Sequence, residues 1–471
     1  MENTENRTQA QILADNLGYR KTNFYEAADE AAIRAAYDYA PGYMKFLDEA
    51  KTEREASRVA IAMAEANGYV PYTFGMKTEV GGKYYYNNRG RNLYLFRIGT
   101  EPIENGVRIV AAHIDNPRVD VKQSPLYEDG GFAFFKTRYY GGIRKYQWVT
   151  IPLALHGVVI KKNGETVDVV IGEDESDPVI YINDLLPHLG QEQNQKPLGT
   201  AIPAENLNLL LGTRPFPGAD KDAIKLNILS LLNEKYGITE DDFTSAELEA
   251  VPAVTACDIG LDRSMIGAYG HDDRVCGYAA LRALLDLEET PARTAVCVLA
   301  DKEEIGSDGV TGMQSAAFDT FMEDLCEAQG AALRSCYEGS FCLSADVTAA
   351  FDPNFAEVFE KRNAAYLNYG IGLCKYTGAR GKSGASDADA ETVAYVRGLF
   401  DRSGVIWQIA ELGKVDAGGG GTVAMYMANR NITTLDAGVP VLSMHAPFEV
   451  VSKLDCYETY KGMAAVYRAE R

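Results

Sequence analysis

The sequence has no cysteine before residue 257 and no C-x-x-C motif anywhere. Its eight cysteines are scattered at positions 257, 276, 297, 326, 336, 342, 374 and 456. This distribution argues against a disulfide framework and against a cysteine zinc knuckle, and it favours reduced thiols in a cytoplasmic protein.

Long apolar runs and an excess of basic charge are also missing. The longest apolar stretch, around 148–160, is interrupted by Thr150, Pro152 and Gly157, so it is too short and too broken to span a bilayer. The polar N-terminus lacks the apolar segment of a signal peptide. The chain has 67 acidic and 46 basic residues, a net charge of −21. We therefore expect neither nucleic acid nor a membrane as its main partner.

What is present indicates a soluble α/β protein. With 471 residues, 46% of them hydrophobic and 24% charged, the chain is long enough for two globular domains. Helical periodicity covers 27–66, and two aromatic-rich runs around 87–90 predict a hairpin. After 251, short buried runs alternate with helical segments. This alternation predicts a mixed, mostly parallel sheet covered by helices.

Residues 118–250 have a different sequence pattern, in which strand-like runs dominate. "FAFFKTRYYGG", "QWVTIPLALHGVVI" and "ETVDVVIG" look like strands, and a proline-punctuated stretch precedes the helical segment "DAIKLNILSLLNEKYG". We therefore expect a β-rich domain over 118–250, inserted into a catalytic domain formed by 1–117 and 251–471. "VPAVTACDIG", which follows it, is predicted to be a single strand.

Five motifs place metal-ligand side chains directly after predicted strands or at a helix start. In open α/β sheets, ligands bind at the carboxyl ends of the strands, so these five positions could converge. Two imidazoles with at least three carboxylates suit zinc or a similar divalent ion. The motifs are "HID" (113–115), "GHDD" (270–273), "DKEEIGS" (301–307), "SAD" (344–346) and "SMHA", which contains His445.

The residue types match the needs of a two-metal hydrolase. Two neighbouring cations need a bridging carboxylate and one histidine each, and a further carboxylate must take a proton from water. The adjacent Glu303 and Glu304 could supply a ligand and a base. Asp115 is placed to hydrogen-bond the second ring nitrogen of His113.

Each motif alone also has a structural explanation. His113 and His445 could be hydrogen-bonded core histidines, the two glutamates a solvated charge run, "GHDD" a helix cap and "SAD" a turn. The combination favours a metal site, because carboxylates that follow strongly apolar strands are costly without partners or a cation.

In their order along the chain, the motifs resemble the aspartyl aminopeptidase and aminopeptidase I family of binuclear metallopeptidases. The resemblance runs from about residue 10 to the C-terminus. It is closer to the bacterial and vacuolar aminopeptidase I branch. The motifs that carry it are "AAHIDNPRV", "YYGGI", "GHDDRVCGYAALRAL", "DKEEIGSDGVTGMQS", "SADVTAAFDPNF" and "LDAGVPVLSMHAPFEVVSKLD".

The resemblance implies an enzyme that releases N-terminal amino acids from peptides with a free N-terminus. Two divalent ions per subunit are implied, zinc above all, with manganese or cobalt as alternatives. The inserted domain would form dimers that assemble into a tetrahedral dodecamer. The implied roles are one metal on His113 and Asp346, the other on Glu304 and His445, a bridging Asp272, Glu303 as general base and Asp115 as the residue that orients His113.

The resemblance also implies a substrate contact at Lys375, and further substrate contacts are predicted at His271 and at the backbone of Gly420 and Gly421. Lys145 stands where many aspartyl members of the family have a histidine that reaches a neighbouring subunit's site. The preference for acidic or neutral N-terminal residues therefore stays open, as does any contact of Lys145 with a second subunit.

Two other functions are compatible with the same residues. One is a two-metal deacylase or carboxypeptidase that acts on acylated amino acids, which cleavage of free-amine against N-acetylated peptides would distinguish. The other is a catalytically idle assembly or cargo protein, against which the intact Glu303–Glu304 pair argues.

Overall fold

The structure is a computed structural model that describes residues 8–384 and 386–470. In this part of the chain it contains twelve α-helices and twenty-three β-strands. The helices are α1 Gln9–Leu17, α2 Phe24–Ala27, α3 Glu30–Glu49, α4 Glu53–Ala66, α5 Leu198–Ala201, α6 Ala223–Tyr236, α7 His271–Leu285, α8 Ala317–Glu327, α9 Leu333–Gly339, α10 Ala390–Arg402, α11 Ala424–Ala428 and α12 Lys453–Arg468.

The strands belong to three larger sheets and one two-stranded ribbon. In chain order they are β1 Val70–Pro71, β2 Lys83–Asn88, β3 Asn92–Arg97, β4 Arg108–His113, β5 Arg118–Asp129, β6 Phe132–Tyr140, β7 Leu153–Ile160, β8 Thr166–Ile171, β9 Tyr181–Ile182, β10 Leu209–Gly212, β11 Ala246–Pro252, β12 Cys257–Ile259, β13 Met265–Ala268, β14 Ala295–Ala300, β15 Phe341–Ser344, β16 Thr348–Ala349, β17 Ile371–Cys374, β18 Gly378–Ala379, β19 Trp407–Ile409, β20 Gly419–Gly420, β21 Thr433–Gly438, β22 Pro440–Leu442 and β23 Glu449–Ser452.

The N-terminal helices begin where polar side chains can satisfy free backbone N–H groups. Asp29 accepts a hydrogen bond from the N–H of Ala32 at the start of α3, and Thr52 with Glu55 forms a capping box at the start of α4. The helical periodicity of 27–66 is thereby confirmed. Among the described residues, no helix combines the length and the apolar character that crossing a bilayer requires.

A nine-stranded mixed sheet forms the centre of the molecule, in the order β1-β2-β3-β14-β4-β15-β21-β17-β19. Its four middle strands, β14, β4, β15 and β21, run parallel. Alternate residues of β4 face opposite sides: Val110 and Ala112 join one apolar core, whereas Ile109 and Ala111 join the other. The predicted fold class, a mixed and mostly parallel sheet covered by helices, is confirmed.

Helices cover both faces of this sheet. Residues of α3, α4, α7, α10 and α12 pack into the core on one face, and residues of α8, α9 and α11 pack into the core on the other. Because β4 lies between β14 and β15 and parallel to both, their carboxyl ends meet at one edge. The segments that follow these three strands are therefore brought side by side.

Residues 118–252 contribute a separate seven-stranded sheet in the order β8-β7-β11-β5-β6-β10-β9. Its strands pack with helix α6 around their own apolar core, to which Phe135, Trp148 and Phe243 belong. A third sheet, β12-β13-β23-β22-β16, lies beside the start of α7.

Two strand predictions can be compared with the structure, one at a hairpin turn and one at a proline. The hairpin around 87–90 is confirmed: Arg89 and Gly90 have φ of 62° and 72° between β2 and β3. The prediction of one strand over "VPAVTACDIG" is wrong, because β11 ends at Pro252 and β12 begins at Cys257 in another sheet. Proline has no N–H to extend a ladder.

A buried histidine links the seven-stranded sheet to the N-terminal helices. His156 lies on β7; its Nδ1 is 2.8 Å from Glu55 Oε1 and its Nε2 is 2.9 Å from Glu173 Oε1. Lys51 also donates to Glu173. Burial lowers the pKa of His156, but hydrogen bonds to Glu173 and Glu55 outweigh it, so that the pKa is raised. The folded protein thus favours the imidazolium of His156 more strongly than the unfolded chain does.

We expect His156→Gln to lower the stability by about 3 kcal/mol, because it leaves the buried carboxylate of Glu55 without its cation, whereas Glu173 keeps Lys51. A raised folded-state pKa means that this stabilisation is complete below about pH 6.5 and is lost as the pH rises through the folded pKa. The difference in Tm between wild type and variant should therefore shrink as the pH rises above about 6.5. A constant difference would contradict this interpretation. His188→Gln, at an exposed position, is the control and should leave Tm unchanged.

Candidate metal centre

The carboxyl end of β4 delivers His113 to the edge of the central sheet. The ring is buried, and its Nδ1–H donates to the backbone carbonyl of Asp115 at 2.9 Å. That hydrogen bond fixes the tautomer and leaves Nε2 free to act as an acceptor or ligand. Nε2 lies 3.2 Å from Oδ1 of Asp272.

Asp272 stands between the two histidines. It lies at the start of α7, where its φ of −83° and ψ of 102° depart from helical values. Its Oδ1 is directed to His113, and its Oδ2 is 3.1 Å from Nε2 of His445. His445 follows β22 and donates from Nδ1 to the carbonyl of Gly142 at 3.0 Å. One carboxylate thus offers one oxygen to each imidazole.

Glu303 and Glu304 form a short 3-10 turn after β14. The carboxylate of Asp115 accepts hydrogen bonds from their N–H groups at 3.0 and 3.2 Å, and from the hydroxyl of Tyr140 at 2.7 Å. The sequence predicts that the carboxylate of Asp115 orients the ring of His113. In the structure its backbone carbonyl makes that contact, whereas its carboxylate lies 3.4 Å from His113 Nδ1 and holds the acidic turn.

The remaining predicted ligands lie close to the same two rings. Oδ1 of Asp346, which follows β15, is 3.9 Å from Nε2 of His113. Oε1 of Glu304 is 3.5 Å from Nε2 of His445, and Oε2 of Glu303 is 3.9 Å from Nε2 of His113. Side chains from five separate motifs therefore meet at one point.

Sequence reasoning missed two buried acids that belong to this cluster. Asp273, the second acid of "GHDD", accepts from the N–H of His113 at 3.3 Å and groups with His113 and Asp346. The sequence alone is equally compatible with a helix cap at "GHDD". Glu449 accepts from the N–H groups of Asp272 and His445. The spacing of Glu449, four residues after His445 in a strand, gave no signal of that contact.

Burial and crowding of like charges shift the proton affinities of the cluster. Burial, aided by Asp115 and Asp272, raises the pKa of Glu303 to about 7. Burial lowers the pKa of His445, but the hydrogen bond to Asp272 and the charge of Glu304 raise it to about 10. Burial would raise the pKa of Asp272, but the two imidazoles hold it well below its usual range. The cluster thus holds more negative charge than its own side chains can neutralise.

This donor set fits divalent cations. Oε1 of Glu304 and Oδ1 of Asp273 are buried without a hydrogen-bond partner, which is costly for a carboxylate unless a cation is bound. Ligand atoms of His113, Asp272 and Glu304 lie within 4.8 Å of one another, as do those of His113, Asp273 and Asp346. Imidazole nitrogen with carboxylate oxygen is the ligand combination of zinc sites in hydrolases.

Two glycines directly after β6 let the seven-stranded sheet approach the centre closely. A Cβ on Gly141 would lie 3.3 Å from Glu304 Oε2, and a Cβ on Gly142 would lie 3.2 Å from Nδ1 of His445. These residues belong to the "YYGGI" motif. The absence of side chains here lets the carbonyl of Gly142 reach His445.

A cavity of about 400 Å³ opens over the cluster. Asp272, Glu303, Glu304, Asp346 and His445 line its charged side. Its other residues include Val347, Leu412, Gly419, Gly420, Gly421, Thr422, Met425, Tyr426 and Met444. A second cavity, of about 340 Å³, adjoins it and shares Val347, Leu412, Gly419, Gly420 and Thr422. The predicted glycine loop thus faces the acidic cluster.

The other two predicted substrate contacts lie away from this cavity. Nζ of Lys375 donates to Asp387 Oδ1 at 2.8 Å and to the carbonyl of Ala388 at 2.7 Å. His271 is buried; its Nε2–H donates to the carbonyl of Ile266 at 3.1 Å, and its Nδ1 lies 2.6 Å from the hydroxyl of Tyr43. Both ring nitrogens of His271 are thus used within the fold, which speaks against a substrate contact.

A central α/β sheet with a histidine and carboxylate cluster at the carboxyl ends of its strands defines a metal-dependent hydrolase. Comparison with known families goes further: residues 46–467 match the family described as aminopeptidase I zinc metalloprotease, M18. The chain belongs to this family, and it is accordingly a zinc aminopeptidase. This result decides against the deacylase and carboxypeptidase alternatives.

Individual relatives agree with the family match. The chain is 47% identical to a probable M18 family aminopeptidase 1 of Clostridium acetobutylicum, over 94% of this chain and 97% of the relative. An M18 aminopeptidase structure from Thermotoga maritima is 43% identical, with a TM-score of 0.91 over 95% of this chain and 99% of that one. A structure of the yeast mApe1 dodecamer, 22% identical, shares the fold with a TM-score of 0.76 over 92% and 97% of the two chains.

We predict that Gly142→Ala weakens zinc binding about tenfold or more, because the added methyl displaces the ring of His445. Zinc content after dialysis against a chelator measures the effect. Gly199→Ala is the control, since a Cβ there meets nothing within 4 Å. Equal zinc retention by the two variants would show that the close approach of Gly142 is unimportant.

Proposed function

We propose that this aminopeptidase releases N-terminal amino acids from peptides with two zinc ions bound in each subunit. The observation that carries the proposal is the carboxylate of Asp272, which lies within 3.2 Å of His113 through one oxygen and 3.1 Å of His445 through the other. A carboxylate shared by two imidazoles is what a two-ion centre requires.

In this proposal His113 and Asp346 hold one ion, and His445 and Glu304 hold the other. The distances of 3.9 and 3.5 Å within these pairs support the assignment, and Asp272 would be the ligand that the two ions share. When bound, the two cations polarise the peptide carbonyl and lower the pKa of a water molecule. Manganese or cobalt could bind the same ligands, because these ions share the N/O preference.

Glu303 is the proposed general base. It lines the cavity, its side chain is 16% exposed, and Asp115 fixes its backbone through the N–H. It would accept a proton from the attacking water and return it to the departing amine.

The N–H groups of Gly420 and Gly421 would bind substrate carbonyl groups, and the acidic side of the cavity would bind the free α-ammonium. The adjoining cavity is suited to the side chain of the N-terminal residue.

Glu303→Gln and Glu304→Gln should separate base from ligand. We expect E303Q to retain both zinc ions while kcat falls about 100-fold to 10,000-fold, the contribution usual for a general base. E304Q should lose zinc as well as activity. Zinc content by atomic absorption, with kcat on an aminoacyl fluorogenic substrate, tests both. Undiminished turnover in E303Q would exclude Glu303 as the base.

The segment 118–250 is proposed as an inserted dimerisation domain, within a catalytic domain of 1–117 and 251–471. Its own sheet and core support this division. Exposed leucines support an interface: Leu185, Leu186 and Leu189 are 52%, 50% and 68% exposed. By analogy with the yeast neighbour, we propose a dodecamer. The family resemblance described above further suggests that dimers build it in a tetrahedral arrangement. Seven of the eight free cysteines are buried, as suits a cytoplasmic protein.

The double variant Leu186→Asp/Leu189→Asp should dissociate the assembly into smaller species, because buried charges without partners oppose association. Light scattering coupled to size-exclusion chromatography measures the mass. Val80→Asp, an equally exposed apolar position outside the segment, serves as the control and should keep the wild-type mass. A wild-type mass for the double variant would argue against this surface as an interface.

A further inference from the structure

Glu449 begins β23, the middle strand of the five-stranded sheet beside the metal centre. It pairs with Ala268 of β13 and is 1% exposed. A buried carboxylate in such a position needs hydrogen-bond donors from elsewhere.

The donors are the backbone N–H groups of two metal-centre residues. Oε1 of Glu449 accepts from the N–H of His445 at 2.7 Å, and Oε2 accepts from the N–H of Asp272 at 3.1 Å. One side chain therefore joins the loop after β22 to the start of α7. The start of α7 carries Asp272, the proposed bridging acid, and the loop after β22 carries His445.

The backbones of both residues depart from the regular structure that surrounds them. His445 has φ of 65°, the left-handed region in which a residue with a Cβ is strained. Asp272 departs from helical angles within the first turn of α7. Hydrogen bonds to a carboxylate are stronger than neutral ones, so Glu449 can hold both conformations.

We propose that Glu449 is a positioning residue that holds Asp272 and His445 in the geometry that binds zinc. This inference rests on the proposed function, in which both residues are zinc ligands. Glu449 itself touches neither substrate nor the ions. It acts through two backbone N–H groups. A residue with a purely structural role would stabilise the fold but would not change the zinc affinity.

The decisive variant is Glu449→Gln, which has the same shape but turns an NH₂ group toward one of the two N–H donors. We expect zinc affinity, measured on the assembled enzyme by competition with a chromophoric chelator, to fall about tenfold or more. Excess zinc should restore part of the lost kcat, while KM changes little because the substrate cavity is intact.

Asp455→Asn is the matched control. Asp455 is equally buried, and its two oxygens accept from the N–H groups of Asn368 and Gly370 at 2.8 and 2.7 Å, away from the cavity. This variant should lower the Tm without a change in zinc affinity. Should E449Q fail to fold, Glu449→Asp, which keeps the charge but is too short to reach both donors, is measured in its place and should also weaken zinc binding.

The proposal is overturned if E449Q, or the aspartate variant in its place, binds zinc as tightly as wild type. It is equally overturned if D455N loses as much zinc affinity as E449Q, since the effect would then follow from stability alone. If the wild-type enzyme binds only one zinc ion, the proposed two-ion centre is refuted. The zinc affinities of E449Q and wild type would then still show whether Glu449 positions the ligands of that single ion.

Discussion

The structure depends on one electrostatic constraint: several carboxylates are buried together at the carboxyl ends of three parallel strands. Asp272, Asp273, Glu304 and Asp346 surround His113, and some of their oxygens have no hydrogen-bond partner. Buried carboxylates without partners are among the most costly groups in a folded protein. A bound zinc ion would offset their charge, so the same ion would stabilise both the site and the fold.

The polypeptide holds this cluster with hydrogen bonds to backbone groups. Asp115 fixes the turn of Glu303 and Glu304 through their N–H groups, and the carbonyls of Asp115 and Gly142 each fix one ring of a histidine. Such contacts determine which ring nitrogen faces the cluster. They also explain why glycines stand at 141 and 142, where any side chain would come between the seven-stranded sheet and the centre.

The sequence was sufficient for the fold class and for the group of side chains that converge. His113, Asp272, Glu303, Glu304, Asp346 and His445 could be identified because each follows an apolar run or starts a helix, where an uncompensated acid is unexpected. Glu449 and the carboxylate contacts of Asp115 could not, because hydrogen bonds to backbone N–H groups leave no pattern of residue types. The break between β11 and β12 was missed because the sequence pattern does not show that a chain changes sheets. His271 was misleading, since proximity in sequence to Asp272 did not place its ring in the cavity.

The position of the inserted segment follows from the same constraint. The chain leaves the central sheet at His113, passes Asp115 and enters β5 at Arg118, so the seven-stranded sheet begins within a few residues of the metal centre. It returns to the metal centre at the start of α7, where Asp272 stands. Movement of this sheet would therefore act on Gly142 and His445 directly.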